Sequence, residues 1–144
     1  MRRARMFCNF VRMAFGVLIV DDSRLFLEAA RVLLEREGLR VAGLAATSAQ
    51  ALQRTEELRP EVIPVDITLG AESGFDLARR LAGHSRDAGP TVILISTHAE
   101  EDFADLIAGS PAAGFVPKPE LTADAIRGIV DGRAPRGPDN ARAR

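Results

Sequence analysis

An α/β fold built on a doubly wound parallel sheet is predicted by three observations on this 144-residue chain. Five short apolar runs alternate with stretches whose apolar residues repeat at helical spacing. The segments joining them are short. The first run, FGVLIV (15–20), is apolar throughout, as a strand buried on both faces must be. Strand–helix alternation repeated five times sets the strands parallel and puts helices on both faces of the sheet.

The elements follow in order. After the first strand, SRLFLEAARVLLEREG (23–38) carries Leu25, Ala29, Val32 and Leu33 at helical spacing, and Gly38 stands where a helix would stop. LRVAGLA (39–45) is the second strand. Thr47 or Ser48 can cap a helix over 48–58, which Pro60 ends. EVIPVD (61–66) is the third strand, and GFDLARRLAG predicts a helix over about 74–82. TVILIS (91–96), bounded by Gly89-Pro90, is the clearest strand. AEEDFADLIAG (99–109) predicts a helix with Phe103, Leu106 and Ile107 on one face. GFVP (114–117) is the last strand, with Pro117 holding Val116 extended. LTADAIRGIV (121–130) is the final helix.

Composition narrows the function. The single cysteine, Cys8, excludes an internal disulfide, and no Cys/His cluster has zinc spacing, so a reducing, cytoplasmic setting is expected. No apolar run reaches membrane length. The net charge of −1 hides a sorting of charge: +4 on residues 1–13, +3 on 132–144 and −8 on 14–131. An acidic body of this kind is a poor nucleic-acid binder, so direct DNA binding is not expected. The opening MRRARMFCNFVRMAFG lacks the unbroken apolar core and cleavage site of a signal peptide, and reads as a basic, disordered leader over 1–13 with Met13 a candidate start. DGRAPRGPDNARAR reads as a disordered tail over 132–144. One folded domain is expected over 14–131.

In open parallel sheets, functional groups gather beyond the carboxyl ends of the strands. Here those ends carry Asp21-Asp22, Asp66, Ser96-Thr97 and Lys118, the only lysine beside 18 arginines. Each alone reads as a turn former, a cap or a surface charge. Together they need a cation: two like charges about 4 Å apart repel by roughly 4 kcal/mol at an effective dielectric of 20. A hard divalent ion such as Mg²⁺ prefers carboxylate and phosphate oxygens. A carboxylate beside it can act as a nucleophile toward phosphorus. A lysine supplies a compact charge for one phosphoryl oxygen, and a hydroxyl donates to another.

These residues carry a resemblance. VLIVDDS, VDITLGAESGFDLARRL, ILISTHAEED and AAGFVPKPEL resemble the motifs of bacterial response-regulator receiver domains, over about residues 16–130. The separations agree too: 44 from Asp22 to Asp66, 30 from Asp66 to Ser96 and 52 from Asp66 to Lys118. The form AGSPAAGFVPKPEL resembles stand-alone receivers of high-GC actinobacteria. The resemblance implies a flavodoxin-like fold with five helices and strand order 2-1-3-4-5. It implies two-component signalling, with Asp66 taking a phosphoryl group from a sensor histidine kinase or phosphotransfer protein. Asp21, Asp22, Asp66 and the backbone carbonyl of Thr68 would hold Mg²⁺ or Mn²⁺. Lys118 would pair with a phosphoryl oxygen, Ser96 would be the switch hydroxyl, and Phe115 would be the aromatic switch. A cis bond before Pro119 would aim Lys118 at Asp66. Output would run through the face of the fourth helix, fifth strand and fifth helix, to an unidentified downstream protein or a second copy of the chain. Such a domain is not a conventional enzyme, although it would catalyse its own phosphorylation and autodephosphorylation.

Two departures support an alternative, a pseudo-receiver that binds partners without being phosphorylated. Pro64 lies in what should be a central strand, which predicts a bulge that shifts Asp66. Gly70 replaces the usual proline after the phosphoacceptor, which predicts a looser loop. His98, beside Ser96, reads as a surface histidine or as a group that tunes water entry. A third reading, an aspartate-nucleophile phosphatase of the haloacid-dehalogenase type, needs a second aspartate where this chain has Thr68.

Overall fold

A computed structural model describes residues 16–84 and 89–132. The expectations for the 1–13 leader and for residues 133–144 of the tail lie outside them. The strands are β1 (Gly16–Val20), β2 (Arg40–Ala45), β3 (Val62–Asp66), β4 (Thr91–Ser96) and β5 (Gly114–Pro117). The helices are α1 (Arg24–Arg36), α2 (Ser48–Leu58), α3 (Gly74–His84), α4 (Ala104–Ala108) and α5 (Ala123–Gly132). The strands form one parallel sheet in the order β2-β1-β3-β4-β5, which is the predicted order.

The two faces of the sheet have separate cores. Leu18, Val20, Ile63, Val65, Val92 and Leu94 pack against α2 and α3 through Ala51, Leu77 and Leu81. Val17, Ile19, Val62, Ile93 and Ile95 pack against α1 and α5 through Leu27, Leu34 and Ile126. Alternation along each strand therefore feeds both sides, which is why the runs read as continuously apolar. Each fully buried Leu or Ile adds about 1.5–3 kcal/mol relative to an exposed one.

The buried face of α1 differs from the expected one. Leu27, Ala30 and Leu34 face the core, whereas Leu25 is 82% exposed, Val32 is 48% exposed and Ala29 is exposed. The helix carries two apolar stripes, and both have helical spacing. The fourth helical segment also departs. Residues Glu100–Phe103 form a 3₁₀ turn before the five-residue α4, and Leu106 is exposed while Phe103 and Ile107 pack on the core.

Pro64 causes no bulge in β3. Residues 62–66 pair in unbroken register with 91–95 of β4. The ladder to β1 keeps the pairs Val17–Val62 and Val20–Val65 and is interrupted between them, where Pro64 has no amide hydrogen to give. The loop after Asp66 is likewise not loose. Thr68–Leu69 pairs antiparallel with Glu72–Ser73. Gly70 sits in the turn at φ +62°, which a proline ring, locked near −65°, could not adopt. Glu72 Oε1 accepts the Ser48 amide at 2.8 Å, tying this hairpin to the start of α2.

A reciprocal cap joins α1 to α5. Glu37 Oε1 accepts the Ala123 amide at 2.7 Å, and the Arg127 guanidinium donates to the Glu37 carbonyl at 3.2 Å. A carboxylate at a helix N-terminus satisfies an otherwise free amide and complements the helix dipole. Glu37→Ala is expected to lower stability by about 1 kcal/mol, measured by urea denaturation. A variant as stable as the parent would remove the cap from this account.

Candidate functional site

The site is built at the carboxyl ends of β1, β3 and β5. The Asp21 amide extends the β1–β2 pairing by donating to the Ala45 carbonyl at 3.0 Å. The Asp21 side chain is fully buried. Its Oδ1 accepts the Ser23 amide at 2.8 Å, and Ser23 Oγ accepts the Phe26 amide at 3.2 Å as the N-cap of α1. One acid thus fixes the turn that starts the helix. Asp22 is exposed and faces the hairpin turn at Gly70.

Asp66 ends β3 and is 6% exposed. Its Oδ1 accepts the Thr68 amide at 3.1 Å. The chain just beyond it is pinned from two sides: the Ile67 amide donates to Ile95 at 2.9 Å, and the Ile67 carbonyl accepts the Gly74 amide at 2.7 Å. Thr68 lies exposed in the hairpin.

Lys118 follows β5, and its ammonium bridges the two buried acids. Nζ lies 2.6 Å from Asp21 Oδ2 and donates to Asp66 Oδ2 at 3.2 Å. The short contact to Asp21 is an ion pair, and no other donor reaches that buried oxygen. The expected cis bond before Pro119 is absent, as are all cis bonds among the described residues. Lys118 and Pro119 instead open a 3₁₀ turn over Lys118–Glu120, where proline's fixed φ suits the first turn of a helix. The strand direction already aims Lys118 at Asp66.

Ser96, 2% exposed, ends β4 beside Asp66. Its Oγ accepts the His98 amide at 2.9 Å and lies 3.4 Å from His98 Nδ1, and no hydrogen bond joins it to Asp66. The exposed His98 ring also stands edge-on to Phe103, with centroids 5.9 Å apart. Phe115 in β5 is half-buried and packs on the α2–α3 core together with Phe103 and Ile107. The structure therefore brings Asp21, Asp22, Asp66 and Lys118 together, sets Ser96 one strand away and leaves Phe115 in the layer below.

The electrostatics follow from this placement. Burial first, then Asp21, raise the Asp66 carboxyl above its ordinary value, and Lys118 and the Thr68 amide pull it partly back. For Lys118, burial is the largest single influence and opposes the charge, yet the two carboxylates together outweigh it and raise its pKa. Carboxylate oxygens of Asp21, Asp22 and Asp66 lie within 4.8 Å of one another. Three clustered acids against one ammonium, all offering oxygen ligands, fit a hard divalent cation.

Two residues at the site escaped the sequence reading. The Phe26 ring lies against Lys118, with Nζ 4.8 Å from its centroid. Gly74 is the other: a Cβ there would fall 2.1 Å from the Asp66 carbonyl oxygen. A Ser-x-x-Phe after the paired acids, and a glycine opening a helix, were the available signals.

The profile of the response regulator receiver domain matches residues 17–131. The chain is 37% identical over 101 residues to "Protein-glutamate methylesterase/protein-glutamine glutaminase 5" of Myxococcus xanthus, covering 69% of this chain and 28% of that protein. It is 28% identical over 114 residues to "Response regulator GacA" of Pseudomonas viridiflava, covering 78% of this chain and 52% of the relative. It thus spans about half or less of the curated relatives it matches. Among solved structures, the signal receiver domain of a modulated diguanylate cyclase from Desulfovibrio desulfuricans superposes with a TM-score of 0.68 at 30% identity, covering 82% of this chain and 91% of that one.

Proposed function

The chain belongs to the response regulator receiver domain family of two-component signalling, and on that premise we propose that it is phosphorylated on Asp66 by a histidine kinase or phosphotransfer protein. The observation that carries this reading is the lysine bridge. A single ammonium touches both buried acids at the ends of β1 and β3, where a phosphoryl group on Asp66 would need a cationic partner. The unbroken register of residues 62–66 with 91–95 across Pro64 and the ordered hairpin at Gly70 support this reading over a pseudo-receiver.

In this reading an Asp66 carboxylate oxygen attacks phosphorus. A P–O bond forms as the P–N bond to the donor imidazole breaks; nitrogen keeps the bonding pair, and because the donor's other ring nitrogen already carries a proton, the leaving group is neutral imidazole. Water attack on phosphorus later breaks the acyl-phosphate P–O bond, releases inorganic phosphate and restores the carboxylate. Mg²⁺ or Mn²⁺, when held by Asp21, Asp22, Asp66 and the Thr68 carbonyl, supplies charge neutralisation for the oxygens being transferred. Lys118 holds one phosphoryl oxygen. Ser96 exchanges its contact with His98 for another. Phe115 then moves further inward, and the face of α4, β5 and α5, where Leu106 is 57% exposed, changes its affinity for a partner protein or a second copy. No helix among the described residues is long and apolar enough to cross a membrane.

Incubation with Mg²⁺ and acetyl phosphate, followed by intact-mass measurement, tests the reading. Wild type is expected to gain one phosphoryl group and Asp66→Asn none. A wild-type chain that gains nothing would leave the pseudo-receiver as the better account.

A further inference from the structure

We propose that Phe26 is a positioning residue for Lys118, its ring holding the ammonium from the α1 side so that the charge stays within reach of the Asp66 carboxylate. The proposal rests on the reading of Asp66 as phosphoacceptor, and its test separates the two. A lysine tip on a four-carbon stem has many rotamers, and ordering it costs conformational entropy. The carboxylates alone do not settle its place, because Nζ sits nearer to Asp21, at 2.6 Å, than to Asp66, at 3.2 Å. The ring face attracts a cation within about 6 Å, more strongly when water is excluded. Here the distance is 4.8 Å, and the Lys118 side chain is only 14% exposed. A leucine could fill the same space without attracting the charge.

The ring is itself held in place. The Phe26 amide is fixed by Ser23 Oγ, and the Ser23 amide by Asp21 Oδ1. Phe26 is half-buried against the core shared by α1 and α5. A single six-residue segment, DDSRLF, therefore supplies the β1 acids, the helix cap and the aromatic face for the ammonium. A phosphoryl group arriving on Asp66 would change the lysine's oxygen partners, and the ring contact requires no such change.

The test uses the fact that Lys118 is the only lysine in the chain. Carbon-13-labelled lysine then gives one side-chain ε-methylene signal. In wild type this signal is expected to be displaced by the ring current, in Phe26→Leu to return toward the value of free lysine, and in Phe26→Tyr to stay displaced. The rate of phosphorylation by acetyl phosphate is expected to fall about three- to tenfold in Phe26→Leu and to recover in Phe26→Tyr. A purely space-filling role predicts equal phosphorylation rates for Phe26→Leu and Phe26→Tyr, and that result overturns the proposal, as does a wild-type signal with no ring-current displacement. If wild type accepts no phosphoryl group, the reading of Asp66 fails and the resonance alone decides: displacement lost only in Phe26→Leu upholds the ring contact, and unchanged displacement refutes it.

Discussion

Gly74→Ala is expected to cost the fold roughly 3 kcal/mol or more and to disrupt the site at the same time. The added Cβ would lie 2.1 Å from the Asp66 carbonyl oxygen and 2.8 Å from both the Asp66 carbonyl carbon and Ile67 Cα. All three are backbone atoms of β3 or the residue after it, so no side-chain rotamer can relieve the clash. The Gly74 amide also donates to the Ile67 carbonyl at 2.7 Å, so pushing α3 away breaks the contact that pins the chain beyond Asp66. Gly128→Ala is the control. It lies within α5 with no heavy atom within 4 Å of the new Cβ, and alanine in a helix is favoured over glycine by about 0.5–1 kcal/mol. Urea denaturation of the two variants should therefore move in opposite directions. Gly74→Ala within 1 kcal/mol of wild type, as a rough threshold for a relaxed clash, would show that α3 and β3 are not in the close contact described.

The strand ends were legible because each is an acid or a lysine following an apolar run, and a parallel sheet sends all its strands the same way. The order of strands and the meeting of Asp21, Asp66 and Lys118 followed from the same alternation combined with the family resemblance. Helix phase was harder to read. Leu25, Ala29 and Val32 have helical spacing, but so do Leu27, Ala30 and Leu34, and only the second set is buried. Periodicity gives the repeat, whereas the Ser23 cap and the direction of β1 decide which stripe meets the sheet. Pro64 shows a related limit. The rule that proline removes a ladder bond held, but which neighbour loses it depends on the sheet, and here the gap faces β1 while β4 keeps full register. At Gly70 the sequence shows a missing proline, and only the φ of +62° shows why proline cannot be there. The Phe26–Lys118 contact joins segments far apart in the chain: the Ser-x-x-Phe after the paired acids marks the ring, but nothing local to it marks its partner.

Lys118→Ala should separate the structural and chemical parts of the lysine's role. Without a divalent ion, the variant leaves fully buried Asp21 facing Asp66 with no cation between them. Breaking a buried ion pair by removing one partner costs about 3–5 kcal/mol. A smaller loss, roughly 2–3 kcal/mol, is expected here because water reaches the site and Asp66, already raised in pKa by burial, can protonate. Millimolar Mg²⁺ should restore much of that stability, since a ligand bound only by the folded state stabilises it by mass action. It should not restore chemistry. Removing one preorganised donor from a transferring oxyanion typically costs about 10²–10³ in rate, and phosphorylation by acetyl phosphate at saturating Mg²⁺ should fall by that order. Lys118→Arg sharpens the distinction. It returns a positive charge to the acids, so stability should recover in part, but a planar guanidinium cannot take the place of a compact ammonium between Asp21 and Asp66, and the rate should stay low. Denaturation with and without Mg²⁺, run beside the phosphorylation rate, reads both halves. An alanine variant that phosphorylates within about tenfold of wild type, well short of the loss expected for a missing oxyanion donor, would mean that the ammonium serves only to keep two buried acids apart from each other's charge.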